Sequence, residues 1–145
     1  MAARLLLDVN LWVALFDDAH THSAEANALI ERPRTKIASC PLVENGAVRV
    51  LNLPGYGNRG PLGLARVRDQ LRHACASMDH EFWPDDVSIA DPALFNFDRI
   101  HGHNQITDAY LLALAVHHGG TPVTFDRAIT LDAVRGAKPQ HIVVL

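Results

Sequence analysis

The 145-residue chain reads as an α/β domain built on a mostly parallel sheet. Three observations predict this. Short, almost wholly apolar runs end at polar residues, as strands covered on both faces do. Those runs alternate with segments whose apolar residues recur at helical spacing. Hydrophobic residues make up 48% of the chain and charged ones 20%, the balance of a packed core rather than of a disordered or fibrous chain. A chain of this length buries roughly two-thirds of its unfolded surface without staples, so residues 1–145 are expected to form one domain.

Arg4 to Asp8 is the first strand. Asn10 to Phe16 is a helix with Leu11, Ala14 and Leu15 on one side, which places a strand-to-helix junction at Asp8. His22 to Glu31 is a second helix closed by Pro33, and Thr35 to Ser39 a second strand. Pro41 opens a third helix at its first turn, where its missing N–H costs nothing. That helix runs to about Leu51 and holds Glu44 near its start. A Gly/Pro loop from Leu53 to Gly63 follows, then a helix through Leu64, Val67, Leu71, Ala74 and Met78. Phe82 to Ile89 fits no single pattern. Asp91-Pro92 reads as a helix start through Leu94 and Phe95, ahead of a polar loop from Asp98 to Gln105. Ile106 to His118 has the clearest helical spacing, stopped by Gly119-Gly120. Thr121 to Asp126 is a strand, Ile129 to Val134 a helical turn and His141 to Leu145 a last strand.

No run of 18 apolar residues is present, and the stretch before Asp8 is too short for a signal peptide, so a cytoplasmic protein without a membrane partner is expected. Cys40 and Cys75 stand in no C-x-x-C pattern and read as buried free thiols. The net charge of −3 argues weakly against bulk nucleic-acid binding. Yet Arg49, Arg59, Arg66, Arg68 and Arg72 face one acid, Asp69, while Asp79 to Asp98 carries six acids and no Lys or Arg. A polyanion would approach one face and avoid the other; a solvated helix face explains the arginines equally well.

In open parallel sheets, ligands bind outside the carboxyl ends of the strands. Asp8 and Asp126 end strands there, and Glu44 and Asp108 occupy the first turns of helices on the same edge. Singly, each has an ordinary reading as a cap or as a partner of the helix dipole. Together they repel, and must protonate or recruit a cation. An all-oxygen set without cysteine or H-E-x-x-H spacing favours Mg²⁺ or Mn²⁺ and the phosphodiester chemistry such ions support.

Four segments, Leu5-Leu-Leu-Asp-Val-Asn-Leu-Trp12, Leu42-Val-Glu44, Gly102-His-Asn-Gln-Ile-Thr-Asp-Ala-Tyr-Leu-Leu-Ala-Leu-Ala115 and Val123-Thr-Phe-Asp-Arg127, closely resemble the PIN-domain ribonuclease toxins of bacterial VapBC toxin–antitoxin modules, over nearly the whole chain. The resemblance implies a PIN-like α/β/α sandwich and a Mg²⁺- or Mn²⁺-dependent endoribonuclease. It also implies an RNA substrate, a cognate antitoxin and a homodimer. By position it makes Asp8, Glu44 and Asp108 the main metal-binding acids, Asp126 a fourth and more variable one, and Asn10 and Thr107 supporting polar residues. For Asp126 a strand-end cap remains the alternative.

Among nine histidines, the pairs His20/His22, His101/His103 and His117/His118 lack zinc-site spacing. They read as solvated or, at a helix end, as cations suited to the dipole. Arg99 and Arg127 are better placed to hold an RNA phosphate. Trp12 and Phe16, one turn apart, belong either to the core or to a partner surface. Two other functions compete. A haloacid-dehalogenase-like phosphatase needs a second Asp where Asn10 stands; an RNA-binding translation inhibitor would act by occupancy, through the arginine-rich segment, without cleavage.

Overall fold

The computed structural model describes residues 3–145 apart from Arg59 and Ala128. Five strands form one sheet: β1 (Leu5–Leu7), β2 (Lys36–Ser39), β3 (Asp79–Phe82), β4 (Thr121–Thr124) and β5 (Val143–Val144). Their order is β3-β2-β1-β4-β5, and every pair is parallel. The five helices are α1 (Val9–Phe16), α2 (Ser23–Ile30), α3 (Pro41–Val50), α4 (Leu64–Ser77) and α5 (Ile106–His117). Helix α1 packs on α2 and α3, and α3 on α4, while α5 lies over β4, so the sheet is sandwiched between helical layers. Among the described residues no helix is long and apolar enough to cross a membrane.

The main core joins Leu6, Leu7, Leu11, Trp12, Ile37, Val43 and Leu114, all fully buried. Trp12 and Phe16 belong to it, their ring centroids 5.7 Å apart. A smaller core gathers Phe95, Leu112, Ala113 and Val134 beside α5. Cys40 is a buried free thiol, and Cys75 is free but only half-buried.

Helix α4 forms where the helical spacing predicts it, and it fully buries only Val67, with Leu71, Ala74 and Met78 partly covered, so it is peripheral. Two sequence expectations change. The segment from Asp91 makes a hydrogen-bonded turn and no helix, because Phe95 breaks away to bridge Val134 in antiparallel fashion. The edge strand β3 begins before the ambiguous stretch. Its sequence, Asp-His-Glu-Phe, has no apolar face to read, and Arg4 secures it by bonding the Ile37 and Asp79 carbonyls and the Asp79 carboxylate at 2.9–3.0 Å. Of the basic segment, Arg49, Arg66, Arg68 and Arg72 are exposed and Arg59 lies outside the described residues.

Candidate functional site

Strands β1 and β4 are neighbours, but β2 and β3 extend the sheet to one side of them and β5 to the other. Such a reversal in strand order leaves a crevice at the strands' carboxyl ends. A cavity of about 240 Å³ opens there, lined by Asp8, Val9, Asn10, Asn104, Thr107, Asp108, Leu111, Thr124 and Asp126. Five of the eight sequence-predicted residues therefore share one cavity: Asp8, Asn10, Thr107, Asp108 and Asp126.

Asp8 follows β1 and caps α1, its Oδ1 accepting the Leu11 N–H at 3.0 Å. Such a cap satisfies one of the first-turn donors that a helix leaves unpaired. The residue is only 7% exposed. Burial pushes its carboxyl above the ordinary value and the charge of Asp126 adds to the rise, against hydrogen bonds from Thr124 and from the Leu11 and Asn10 N–H groups. Asp108 sits in the first turn of α5. Its carboxyl is pushed up to about 7, chiefly by burial, then by a hydrogen bond shared with Asp126 and by the charges of Asp126 and Asp8. Asp126 lies in the turn two residues past β4, where its N–H donates to the Thr124 hydroxyl at 3.0 Å. Thr124, 2% exposed, thus links Asp126 to Asp8.

Three carboxyl groups from three separate elements meet in this cavity, and burial and mutual repulsion push the carboxyls of Asp8 and Asp108 upward. With oxygen-only donors, that is the environment a hard divalent cation relieves. The residues present therefore fit Mg²⁺ or Mn²⁺.

Glu44 is not among the residues lining the cavity. Its Oε2 accepts the Ser39 hydroxyl at 2.5 Å, and that hydroxyl lies 2.7 Å from His80 Nε2. Ser39 shares the sheet face of Ile37, whose register partner on β3 is His80, so both point toward the side where α4 brings Cys75. Ligating atoms of Glu44, Cys75 and His80 lie within 4.8 Å of one another. Burial, helped by the Glu44 charge, pushes the Cys75 thiol up to about 11. Burial also lowers His80 below its ordinary value.

Arg99, in a short 3₁₀ turn, and Arg127, next to Asp126, are exposed and outside the cavity lining. His101 and His103 are exposed as well, while the His22 ring stacks on Phe125 at 4.4 Å beside the site. Sequence reasoning missed Asn104 and Thr124. Thr124 carried a usable signal, a hydroxyl at the last position of a strand two residues before an acid. Asn104 stood in a loop with many polar residues and nothing to single it out.

The parallel sheet with acids at its switch point is consistent with a PIN domain, and the PIN-domain family model matches residues 5–135. Three relatives from Mycobacterium tuberculosis refine this. Ribonuclease VapC44 is 45% identical over 143 residues, spanning 98% of this chain and 99% of that protein. Ribonuclease VapC38 is 38% identical over 142 residues, 97% and 98% of the two chains. Ribonuclease VapC39 is 33% identical over 136 residues, 90% and 94%. The chain belongs to the PIN-domain family and, within it, to the VapC ribonucleases.

Proposed function

We propose that the protein is a Mg²⁺- or Mn²⁺-dependent endoribonuclease and the toxin of a toxin–antitoxin pair, acting in the cytoplasm as one PIN-like domain of residues 1–145 and as a homodimer. The convergence of Asp8, Asp108 and Asp126 in one cavity carries this reading. When bound, the divalent ion supplies a water of lowered pKa and neutralises charge developing on the phosphodiester. Asp8 would be its most rigid holder, since the cap to Leu11 and the bond from Thr124 fix its orientation. Asp108 and Asp126 would hold it together, and the ion's charge would offset the burial and repulsion that raise the Asp108 carboxyl. Glu44 joins the set by resemblance, from the first turn of the helix after β2.

Asn10, Asn104 and Thr107 offer amide and hydroxyl donors at the cavity for phosphate oxygens. Arg99 and Arg127 would hold flanking phosphates, Arg127 from the position next to Asp126. Hydrolysis by such a water is expected to leave 5′-phosphate and 3′-hydroxyl ends. The antitoxin would place a basic side chain among the acids, where a cation is favoured.

Induction of the wild-type protein in a bacterial host is expected to arrest growth and produce new 5′-phosphate RNA ends, and Asp8→Asn to abolish both at equal protein level. Growth arrest by Asp8→Asn without new ends would overturn cleavage in favour of inhibition by occupancy.

A further inference from the structure

At the far end of α5, His117 and His118 meet Asp86, from the segment that follows β3. His118 Nε2 lies 2.9 Å from Asp86 Oδ1, and His117 Nε2 lies 3.5 Å from Asp86 Oδ2. Ligating atoms of all three residues fall within 4.8 Å of one another. We propose that Asp86, His117 and His118 form a second metal site, selective for a borderline transition-metal ion such as Zn²⁺ and separate from the carboxylate cavity.

The donor set sets the metal class. Two imidazoles and one carboxylate suit Zn²⁺ and its neighbours, whereas an all-oxygen set suits Mg²⁺ or Mn²⁺. His118 Nε2 and His117 Nε2 approach the two Asp86 oxygens at 2.9 and 3.5 Å, and all three residues have ligating atoms within 4.8 Å of one another, so small side-chain shifts would bring them to the roughly 3.3 Å spacing of tetrahedral ligands on zinc. The site is oriented in advance: the His118 ring stacks on Trp83 with centroids 4.6 Å apart and planes 10° from parallel. Trp83 is itself anchored, 2% exposed, with its Nε1 donating to Glu81. The C-terminal end of α5 adds its negative dipole end, which favours a cation there. A bound ion would leave a fourth position for water, since His117 and Asp86 are exposed. Nine residues of helix separate His117 from Asp108, about 13 Å along the axis, so the two sites share no ligand. A metal here ties the segment after β3 to the end of α5, across the elements that frame the smaller core.

The sequence alone argued against these histidines as ligands, because an adjacent pair at a helix end lacks zinc-site spacing. The missing third ligand comes from Asp86, which only the fold brings to them.

Full-length protein stripped with EDTA is titrated with ZnCl₂ in excess MgCl₂, by calorimetry and by thermal melting. One equivalent of zinc is expected to bind and to raise Tm by several degrees. Asp86→Asn and His117→Ala, both at exposed positions, should each weaken zinc binding about 10–100-fold or more, since the loss of even an outlying partner costs that much. Asp108→Asn and Cys75→Ser should leave it unchanged. Failure of the wild type to bind zinc would overturn the site. So would zinc binding that survives both Asp86→Asn and His117→Ala, or that is lost instead in Asp108→Asn or Cys75→Ser.

Discussion

Asp8 accepts the Leu11 N–H and lines the cavity with the same carboxyl group, so its role as a cap leaves it placed for the metal-holding role proposed above. Because Asn caps a helix as well as Asp does, Asp8→Asn should fold with near wild-type stability, whereas Asp8→Ala should lose about 1 kcal/mol by denaturant unfolding. Asp108 makes a second prediction. Its folded value of about 7 lies above the ordinary 3.8, so the folded protein binds this proton more tightly than the unfolded chain does. That contribution is whole below about pH 4 and is lost as pH rises toward 7. Asp108→Asn should therefore melt above wild type at pH 8 without divalent ions, by about 1–2 kcal/mol after solvent screening. The gap should narrow toward pH 5, and an unchanging gap would contradict the raised Asp108 carboxyl. Glu44 marks the limit of sequence at this scale. Its place in a helix first turn was legible, but the link from Ser39, whose hydroxyl it accepts, on to His80 depended on β3, a strand the sequence did not reveal. Glu44→Gln should lower cleavage at limiting Mg²⁺ and recover in part at high Mg²⁺, where Asp8→Asn does not.

Helix α5 was legible at both ends because its stop is chemical. Gly119 takes φ +70° and its N–H bonds the Val116 carbonyl, while the Gly120 N–H bonds the Ala115 carbonyl at 2.8 Å, a glycine-dependent C-terminal closure. Gly120 is needed for a second reason: a Cβ there would stand 2.5 Å from the Trp83 ring and 2.7 Å from the Arg4 carbonyl. Gly120→Ala is thus expected to destabilise by about 1–3 kcal/mol in denaturant unfolding, and a neutral outcome would contradict the close packing of Trp83 under α5. The β3 edge strand was illegible for the opposite reason. It is held by main-chain pairing to β2 and by Arg4, with three of its four residues exposed, so no apolar alternation announces it. The short segment from Asp91 had a helix's opening residues but not its length, and the bridge from Phe95 to Val134 decided its course.

For the whole molecule, alternation of apolar runs and helical spacing was enough to reach a parallel α/β sheet, and the acids at strand ends and in helix first turns were enough to nominate three of the carboxyl groups that line its cavity. Strand order was not legible, since it depends on which crossovers pack. It is the order β3-β2-β1-β4-β5 that sets Asp8 beside Asp126 at the switch point and puts the start of α5 above them. The same order carries Asp86 to the opposite end of α5, where a different donor set meets. The two ends of one helix thus present oxygen-only and imidazole-containing clusters, each matched to a different class of cation. The oxygen-only cavity is proposed to support RNA hydrolysis with a hard divalent ion. The most direct test of that proposal is cleavage of total RNA by purified wild-type protein and by folded Asp108→Asn, with Mg²⁺, Mn²⁺ or EDTA. Discrete fragments from the wild type with Mg²⁺ or Mn²⁺, absent in EDTA and in Asp108→Asn, are predicted; equal cleavage by the variant, or cleavage unaffected by EDTA, would contradict it.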